Sequence, residues 1–156
     1  MKGVKFLKLD GSGLRIGIVK ARWNSELTDS LFSGCLQALR DCGVKEKNIF
    51  SLAVPGSFET VFGAEKLIEE KKVDAVVCLG VLIKGETMHF EYLCSAVSQG
   101  IMRLGIDTGV PAVFGILTCL TEAQARVRAT GDNNHGIGWG KTAVEMALLF
   151  KNKQKK

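Results

Sequence analysis

The chain has 156 residues and a mass of 16.9 kDa, the size of one ordinary domain. Apolar residues make up 46% and charged residues 24%, a balance that excludes an intrinsically disordered chain. Four lysines in the last six residues supply most of the net charge of +5, so the rest of the chain is close to neutral and offers no basic face for nucleic acid.

The apolar runs are too short for a membrane span. The longest of them ends at Lys84 after nine residues, whereas a span needs about 20. Lysines interrupt the N-terminus, so no secretory signal is expected. The five cysteines are odd in number and no pair has the CxxC spacing, which favours reduced, structural thiols. We therefore expect a cytoplasmic protein of one domain over residues 1–156.

Strands and helices are predicted to alternate along the chain. In chain order they are an extended arm at 1–13, a strand at 14–19, a helix from Asn24 to about Gly43, a strand at 49–54, a helix at 58–68, a strand at 75–83, a helix at about 90–104, a strand at 111–117, helical stretches at 121–128 and about 140–152, and a basic tail at 151–156. Such alternation indicates a parallel sheet covered by helices on both faces.

Local patterns add detail to these elements. Asn24 or Ser25 is expected to cap the first helix. The second helix is predicted to have one apolar face, formed by Phe58, Val61, Phe62, Glu65 and Ile68. Residues 75–83 are apolar throughout, as in a strand buried on both faces. The glycine- and asparagine-rich residues 130–138 predict a loop.

The segments that follow the strands are the candidate functional residues, because parallel sheets bind ligands at the carboxyl ends of their strands. Residues 84–89, Lys-Gly-Glu-Thr-Met-His, are the richest of these segments. Free amides at a helix start favour an anion, and His89 is the natural acid–base group near neutral pH. The alternative is an ordinary helix cap with a solvent-facing histidine.

Three other groups also allow two interpretations. Trp23-Asn24 is either a staple and cap, or an aromatic wall with a hydrogen-bonding group for a flat ligand. In Pro55-Gly-Ser-Phe-Glu59, the glutamate either binds a ligand or only favours the helix dipole. Arg128 and His135 either hold a phosphate together or are separate surface charges.

Several common kinds of functional site are excluded because residues that their chemistry requires are absent from the sequence. No Cys/His spacing fits a zinc site, and no PCxxC follows His89-Phe-Glu91 as a zinc deaminase would require. Gly80–Gly85 has the glycine spacing of a P-loop, but Glu86 stands where the lysine is needed. We expect no metal.

Taken in order, the motifs resemble those of the lumazine synthase family of riboflavin biosynthesis. The resemblance covers residues 14–150 and rests on six segments: Arg15-Ile-Gly-Ile-Val, Trp23-Asn24, Val54-Pro-Gly-Ser-Phe-Glu59, Gly80-Val-Leu-Ile-Lys-Gly-Glu-Thr-Met-His-Phe-Glu-Tyr92, Thr108-Gly-Val-Pro-Ala-Val-Phe-Gly-Ile-Leu-Thr118 and Ala143-Val-Glu-Met146. Each segment alone is a weak signal, but their combination is specific.

This resemblance implies a flavodoxin-like, three-layer α/β/α fold with a four-stranded parallel sheet. It implies condensation of 5-amino-6-(D-ribitylamino)uracil with 3,4-dihydroxy-2-butanone 4-phosphate to 6,7-dimethyl-8-ribityllumazine, phosphate and water, without a metal or organic cofactor. It also implies a homopentamer with sites between neighbouring subunits, which some members stack into a 60-subunit shell. Riboflavin synthase is a candidate partner; nucleic acid and membranes are not expected.

The family's site residues can be transferred to matching positions. Those that the resemblance places at the uracil and its ribityl chain are Trp23, Asn24, Ser57, Phe58, Glu59, Val81, Leu82, Ile83 and Phe114. Those that it places at the phosphate are Gly85, Glu86, Thr87, Arg128 and His135. His89 matches the proton-transfer histidine, and Phe114 and Arg128 match residues that reach in from the adjacent subunit.

The late loop departs from the family pattern. His135 stands where many bacterial members carry a lysine, and Gly138 stands where fungal members carry an acidic residue near the catalytic histidine. Which carboxylate, if any, orients His89 is open at this stage; Glu91 is one candidate, by nearness in sequence only. Two other functions stay open at this stage: an archaeal-type riboflavin synthase, which would convert lumazine alone, and a flavin-binding or shell protein without turnover.

Overall fold

A computed structural model describes residues 5, 6 and 8–151. Its helices and strands are β1 (Ile16–Ala21), α1 (Ser25–Asp41), β2 (Ile49–Val54), α2 (Thr60–Lys71), β3 (Ala75–Ile83), α3 (His89–Thr108), β4 (Ala112–Cys119), α4 (Glu122–Ala129) and α5 (His135–Lys151). Single 3₁₀ turns occupy Glu46–Asn48 and Gly131–Asn133. The described residues of the predicted arm form neither helix nor strand, and its residues 1–4 and 7 lie outside the described part of the chain.

The four strands form one parallel sheet in the order β2-β1-β3-β4. Helices α1, α4 and α5 pack on one face through a core that includes Leu31 and Val144. Helices α2 and α3 pack on the other face through a second core around Leu67 and Val97. This is the three-layer flavodoxin-like architecture, and the predicted fold class is confirmed.

The cores explain the apolar sequence of β3. Its first seven residues are buried because helices cover both faces of the sheet at this strand. Burial also raises the pKa of Cys35 and of Cys78 to about 12, so both thiols are neutral at physiological pH. Among the described residues, no helix is long and apolar enough to cross a membrane.

The apolar face predicted for the second helix is only partly right: Val61 and Ile68 pack against the core, but Phe58 precedes the helix and is exposed. Thr60, Gly63, Ala64 and Leu67 face the sheet, whereas Phe62 is 65% exposed. Gly63 is required there because an added Cβ would lie 2.9 Å from a methyl group of Val19 on β1. The predicted stripe therefore packs against the core along one edge and leaves Phe62 on the outside of the single chain.

The loop predicted at residues 130–138 is also wrong in its second half, because α5 begins at His135 rather than near residue 140. The glycines that suggested a loop permit close packing of two helices. An added Cβ on Gly136 would lie 2.0 Å from the carbonyl oxygen of Leu31, and one on Gly140 would lie 2.9 Å from that of Cys35. The Asn134 side chain accepts a hydrogen bond from the Gly136 amide at 2.8 Å and so caps the start of the helix.

The remaining boundaries differ from prediction by a few residues, except at the basic tail. Lys151, predicted as part of that tail, is the last residue of α5. Its ammonium group is 2.8 Å from both the Asp74 carboxylate and the Gly13 carbonyl oxygen, so it is tied to the fold. Residues 152–156 lie outside the described part of the chain.

Candidate active site

A cavity of about 390 Å³ lies at the carboxyl ends of the strands. It is at the topological switch point between β1 and β3, from which successive strands are added in opposite directions across the sheet. It is lined by Trp23, Pro55, Gly56, Ser57, Phe58, Glu59, Val81, Leu82, His89 and Leu93. An adjoining cavity of about 260 Å³ shares part of this wall and extends to Asn24, Ile83, Gly85, Thr87 and Phe90. The turns after β1, β2 and β3 thus bring together most of the residues predicted for the site, which we call the switch-point cavity.

Backbone hydrogen bonds hold the turn after β1 against the turn after β2. The Arg22 amide donates to the Val54 carbonyl at 2.8 Å, and the Trp23 amide donates to the Pro55 carbonyl at 3.1 Å. The Trp23 side chain remains 71% exposed at the cavity wall. This exposure contradicts the hydrophobic-staple interpretation and leaves the indole face free for a flat ligand.

Asn24 stands at the N-cap position of α1 but its side chain does not cap that helix, contrary to one of the two interpretations. Its backbone is left-handed, with φ 57° and ψ 44°, a conformation that asparagine tolerates better than most residues. In this conformation its amide group donates to the Val81 carbonyl at 2.9 Å. Asn24 therefore ties the turn after β1 to the end of β3.

The turn after β2 is fixed by its own side chains. A carboxylate oxygen of Glu59, Oε2, accepts a hydrogen bond from the Gly56 amide at 2.9 Å, and the Thr60 hydroxyl donates to the Ser57 carbonyl at 2.6 Å. Within the described chain, Oε1 of Glu59 accepts no hydrogen bond and remains available. Ser57 is buried beneath Gly80, where an added Cβ would lie 2.3 Å from the serine hydroxyl oxygen.

The segment between β3 and α3 presents free backbone amides. The Lys84 amide still pairs with the Cys119 carbonyl at 2.9 Å, so the segment starts from the edge of the β3–β4 ladder. In the described part of the chain, the amides of Gly85, Glu86 and Thr87 donate to no protein group. Three unpaired amides before a helix start can receive an anion such as a phosphate.

His89 is the first residue of α3 and lies on the wall of both parts of the cavity. Its side chain is exposed, and among the described residues its ring has no hydrogen-bond partner. Glu91, one candidate for orienting His89, has its carboxylate in an ion pair with Lys84 instead. Residues two apart on a helix point in different directions, so nearness in sequence was a poor guide.

Four of the predicted site residues do not line this cavity: Glu86, in the turn before α3, and three residues farther along the chain. Phe114 lies on the outer strand β4 opposite Cys78, in mid-strand, and is 40% exposed. Arg128 lies on α4, and its guanidinium donates to the Gln124 carbonyl of its own helix at 2.8 Å. His135 begins α5. We call these three residues the β4-side group.

Within the β4-side group, Arg128 and His135 are close enough to interact electrostatically. Burial lowers the pKa of His135, and the positive charge of Arg128 lowers it further. The imidazole is therefore mainly neutral at pH 7 in the single chain. It packs edge-on against Trp139, with ring centroids 5.8 Å apart.

Sequence reasoning did not single out Leu93 or Gly80. Leu93 lines the cavity one helical turn after His89, and that spacing was the available signal. Gly80 has no such signal, because its constraint comes from Ser57 in another part of the chain. Among the described residues, no three His, Cys, Asp or Glu side chains form a cluster that could bind a metal ion.

Comparison with known proteins agrees with this geometry. Residues 13–151 match the family model for 6,7-dimethyl-8-ribityllumazine synthase. Proteins of that name are similar to this chain in Schizosaccharomyces pombe (47% identical, over 95% of each chain), in Pyricularia oryzae (42%, over 89% of each) and in Flavobacterium psychrophilum (45%, over 90% of this chain and 75% of the relative). The chain belongs to the 6,7-dimethyl-8-ribityllumazine synthase family.

Proposed function

We propose that this protein condenses 5-amino-6-(D-ribitylamino)uracil with 3,4-dihydroxy-2-butanone 4-phosphate to form 6,7-dimethyl-8-ribityllumazine, with release of phosphate and water. The observation that carries the proposal is the switch-point cavity. It combines an exposed aromatic wall, a carboxylate with a free oxygen, three unpaired amides and a free imidazole in one place. Family membership supports the same reaction.

The uracil ring would stack on Trp23, whose indole is exposed at the cavity wall. The hydroxyl groups of the ribityl chain would reach the turn after β2, where Oε1 of Glu59 can accept their hydrogen bonds and Ser57 and Phe58 form the rest of the wall. Val81, Leu82 and Ile83 would line the ring site from the end of β3.

The phosphate would bind the free amides of Gly85, Glu86 and Thr87, where the N-terminus of α3 favours negative charge. His89 would transfer protons during Schiff-base formation, phosphate elimination and ring closure, because it faces both parts of the cavity. None of these steps needs a nucleophile from the protein. Holding the two substrates in contact would account for much of the rate enhancement.

We further propose that the site is completed by a second copy of the chain. Phe114, on β4, and Arg128 and His135, at α4 and the start of α5, do not line the cavity formed after β1, β2 and β3. If the β4-side group of one subunit meets the switch-point cavity of the next, each contact joins two different surfaces. Repetition of such a contact gives a closed ring when the rotation between subunits closes, as it would in a pentamer.

Exposed apolar residues support this assembly. Phe62 on α2, with Tyr92, Met102 and Ile106 on α3, are each more than 60% exposed in the single chain, and a groove of about 560 Å³ runs between the two helices. Several large apolar side chains exposed on two neighbouring helices are typical of a surface that is covered by another protein copy. Sedimentation should give about five times 16.9 kDa for a pentamer, or about sixty times that mass for a shell.

The decisive experiment mixes the two substrates with purified protein and follows lumazine absorbance, for the wild type and for His89→Ala. We expect product from the wild type, and a rate reduced roughly 10²–10⁴-fold in the variant, the usual contribution of general acid–base catalysis. Glu69→Gln, an exposed change on α2, is the control and should retain wild-type rates.

Other outcomes would identify the alternatives. Formation of riboflavin from lumazine alone would indicate a riboflavin synthase. Ligand binding by a well-folded oligomer that forms no lumazine would indicate a binding or shell protein and would contradict the proposal.

A further inference from the structure

The segment from Lys84 to Glu91 is closed by a side-chain ion pair as well as by the fold. The Lys84 ammonium group is paired with Oε1 of Glu91, and it also lies 5.8 Å from the centre of the Phe90 ring. Lys84 follows β3 and Glu91 is in the first turn of α3, so the pair spans the segment that carries the free amides and His89. We call it the Lys84–Glu91 bridge.

Glu91 has no other partner in the described chain. Its second oxygen, Oε2, is buried without a hydrogen bond. The paired side chains of Lys84 and Glu91 are 35% and 38% exposed, so the bridge is only partly screened by solvent. Loss of Lys84 would leave a carboxylate unpaired beside the proposed phosphate turn, and loss of Glu91 would leave the lysine free to move.

We propose that Lys84 and Glu91 are positioning residues that hold the turn Gly85–Thr87 and the start of α3 in the geometry needed to bind phosphate and to present His89; this rests on the proposed function. The backbone supports the interpretation. Between the Lys84 amide, bonded to Cys119, and the first bond of α3, the only hydrogen bond described is that from the His89 amide to the Thr87 hydroxyl, at 3.4 Å. A turn with so few internal bonds needs a constraint from side chains.

Two alternative roles predict different results. If Glu91 acted on His89 directly, its loss would change the pH dependence of turnover, and loss of Lys84 would not. If Lys84 bound the phosphate directly, its loss would weaken phosphate binding, and loss of Glu91 would strengthen it by removing a nearby negative charge. A positioning role predicts that both losses act in the same direction although they change the net charge in opposite directions.

The test compares Lys84→Gln, Glu91→Gln and the double variant in the complete oligomer. We expect each single change to raise the KM for the phosphate-bearing substrate about two- to fivefold, the range for loss of a partly exposed ion pair. The double variant should be no worse than either single variant, because each change already removes the bridge. The KM for the uracil substrate and the pH profile of kcat should stay close to wild type.

Arg40→Gln and Glu46→Gln are matched controls, because they break an exposed ion pair at the end of α1 whose residues line neither the cavity nor the groove between α2 and α3. Opposite effects of Lys84→Gln and Glu91→Gln on KM, or additive effects in the double variant, would overturn the positioning role.

Hydrogen exchange supplies a readout that does not depend on the reaction. The amides of residues 85–92 should exchange faster in both single variants than in the wild type, and those of α2 should not change. Unchanged exchange at 85–92 would overturn the inference even if the protein makes lumazine. Absence of lumazine from the wild type, with faster exchange in both variants, would instead overturn the proposed function and leave the bridge as the constraint on this turn.

Discussion

The switch-point cavity and the β4-side group differ in how the single chain holds them. The cavity is built from three turns that are bonded to one another, through the Trp23 and Pro55 backbones and through Asn24 and Val81. In the β4-side group, by contrast, the guanidinium of Arg128 donates to the Gln124 carbonyl of its own helix and not to a residue of the cavity. The fold of one chain therefore pre-organises one half of the proposed site, whereas association with another copy would supply the other half.

Removal of the proposed phosphate ligand on the β4 side should have the largest effect. Arg128→Ala should raise the KM for the phosphate-bearing substrate roughly 10–100-fold, because a hydrogen bond to a charged group contributes about 1.5–3 kcal/mol. The measurement is a steady-state titration of that substrate. Arg40→Ala is the control, since this arginine pairs with Glu46 beyond the end of α1 and lines neither the cavity nor the groove between α2 and α3. An unchanged KM would show that Arg128 does not bind the phosphate-bearing substrate.

Mixing two defective chains tests whether the two regions belong to different copies. In co-expressed rings of His89→Ala and Arg128→Ala subunits, random assembly leaves about a quarter of the sites with an intact cavity next to an intact β4-side group. We therefore expect up to about a quarter of wild-type activity at low substrate, well above either variant alone. Activity no higher than the average of the two single variants would place both residues in one chain.

A smaller change should distort the cavity from within. Gly80→Ala would place a Cβ 2.3 Å from the Ser57 hydroxyl oxygen and push the turn after β2 outward. Overpacking of this kind costs about 1–3 kcal/mol of unfolding free energy. Chemical denaturation and the KM for the uracil substrate should both report it. Gly13→Ala, where an added Cβ has no atom within 4 Å, should change neither.

The smallest expected effect concerns His135 and pH. Because burial and Arg128 lower its pKa in the folded chain, the unfolded chain binds more protons between the two pKa values. This residue therefore supports stability fully above pH 6.5, and that contribution decreases as the pH falls towards the folded pKa. His135→Gln should make the free energy of unfolding less dependent on pH below pH 6.5. Urea titrations at several pH values would measure the slope, and an unchanged slope would show that His135 titrates normally.

The sequence predicted the sheet well because each strand carries its own signal. Residues 49–54 and 75–83 were predicted at the observed bounds. Each is an apolar run that is followed directly by a proline, a glycine or a charged residue, and such a run identifies a strand and its end. Prediction failed where a contact with a distant element decides the role of a residue. Gly136 and Gly140 pack against α1, and Phe62 faces outward on α2.

The same division applies to the site. The sequence by itself determined which residues follow each strand, and therefore that Trp23, Glu59 and His89 would meet at one edge of a parallel sheet. Other features depend on the folded chain. Asn24 donates a hydrogen bond to Val81, and Glu91 pairs with Lys84 rather than with His89. The residues of the β4-side group do not line the cavity. Local signals fix the bounds of most strands, whereas the start of α5 and the partner of a side chain depend on elements brought next to them only by folding.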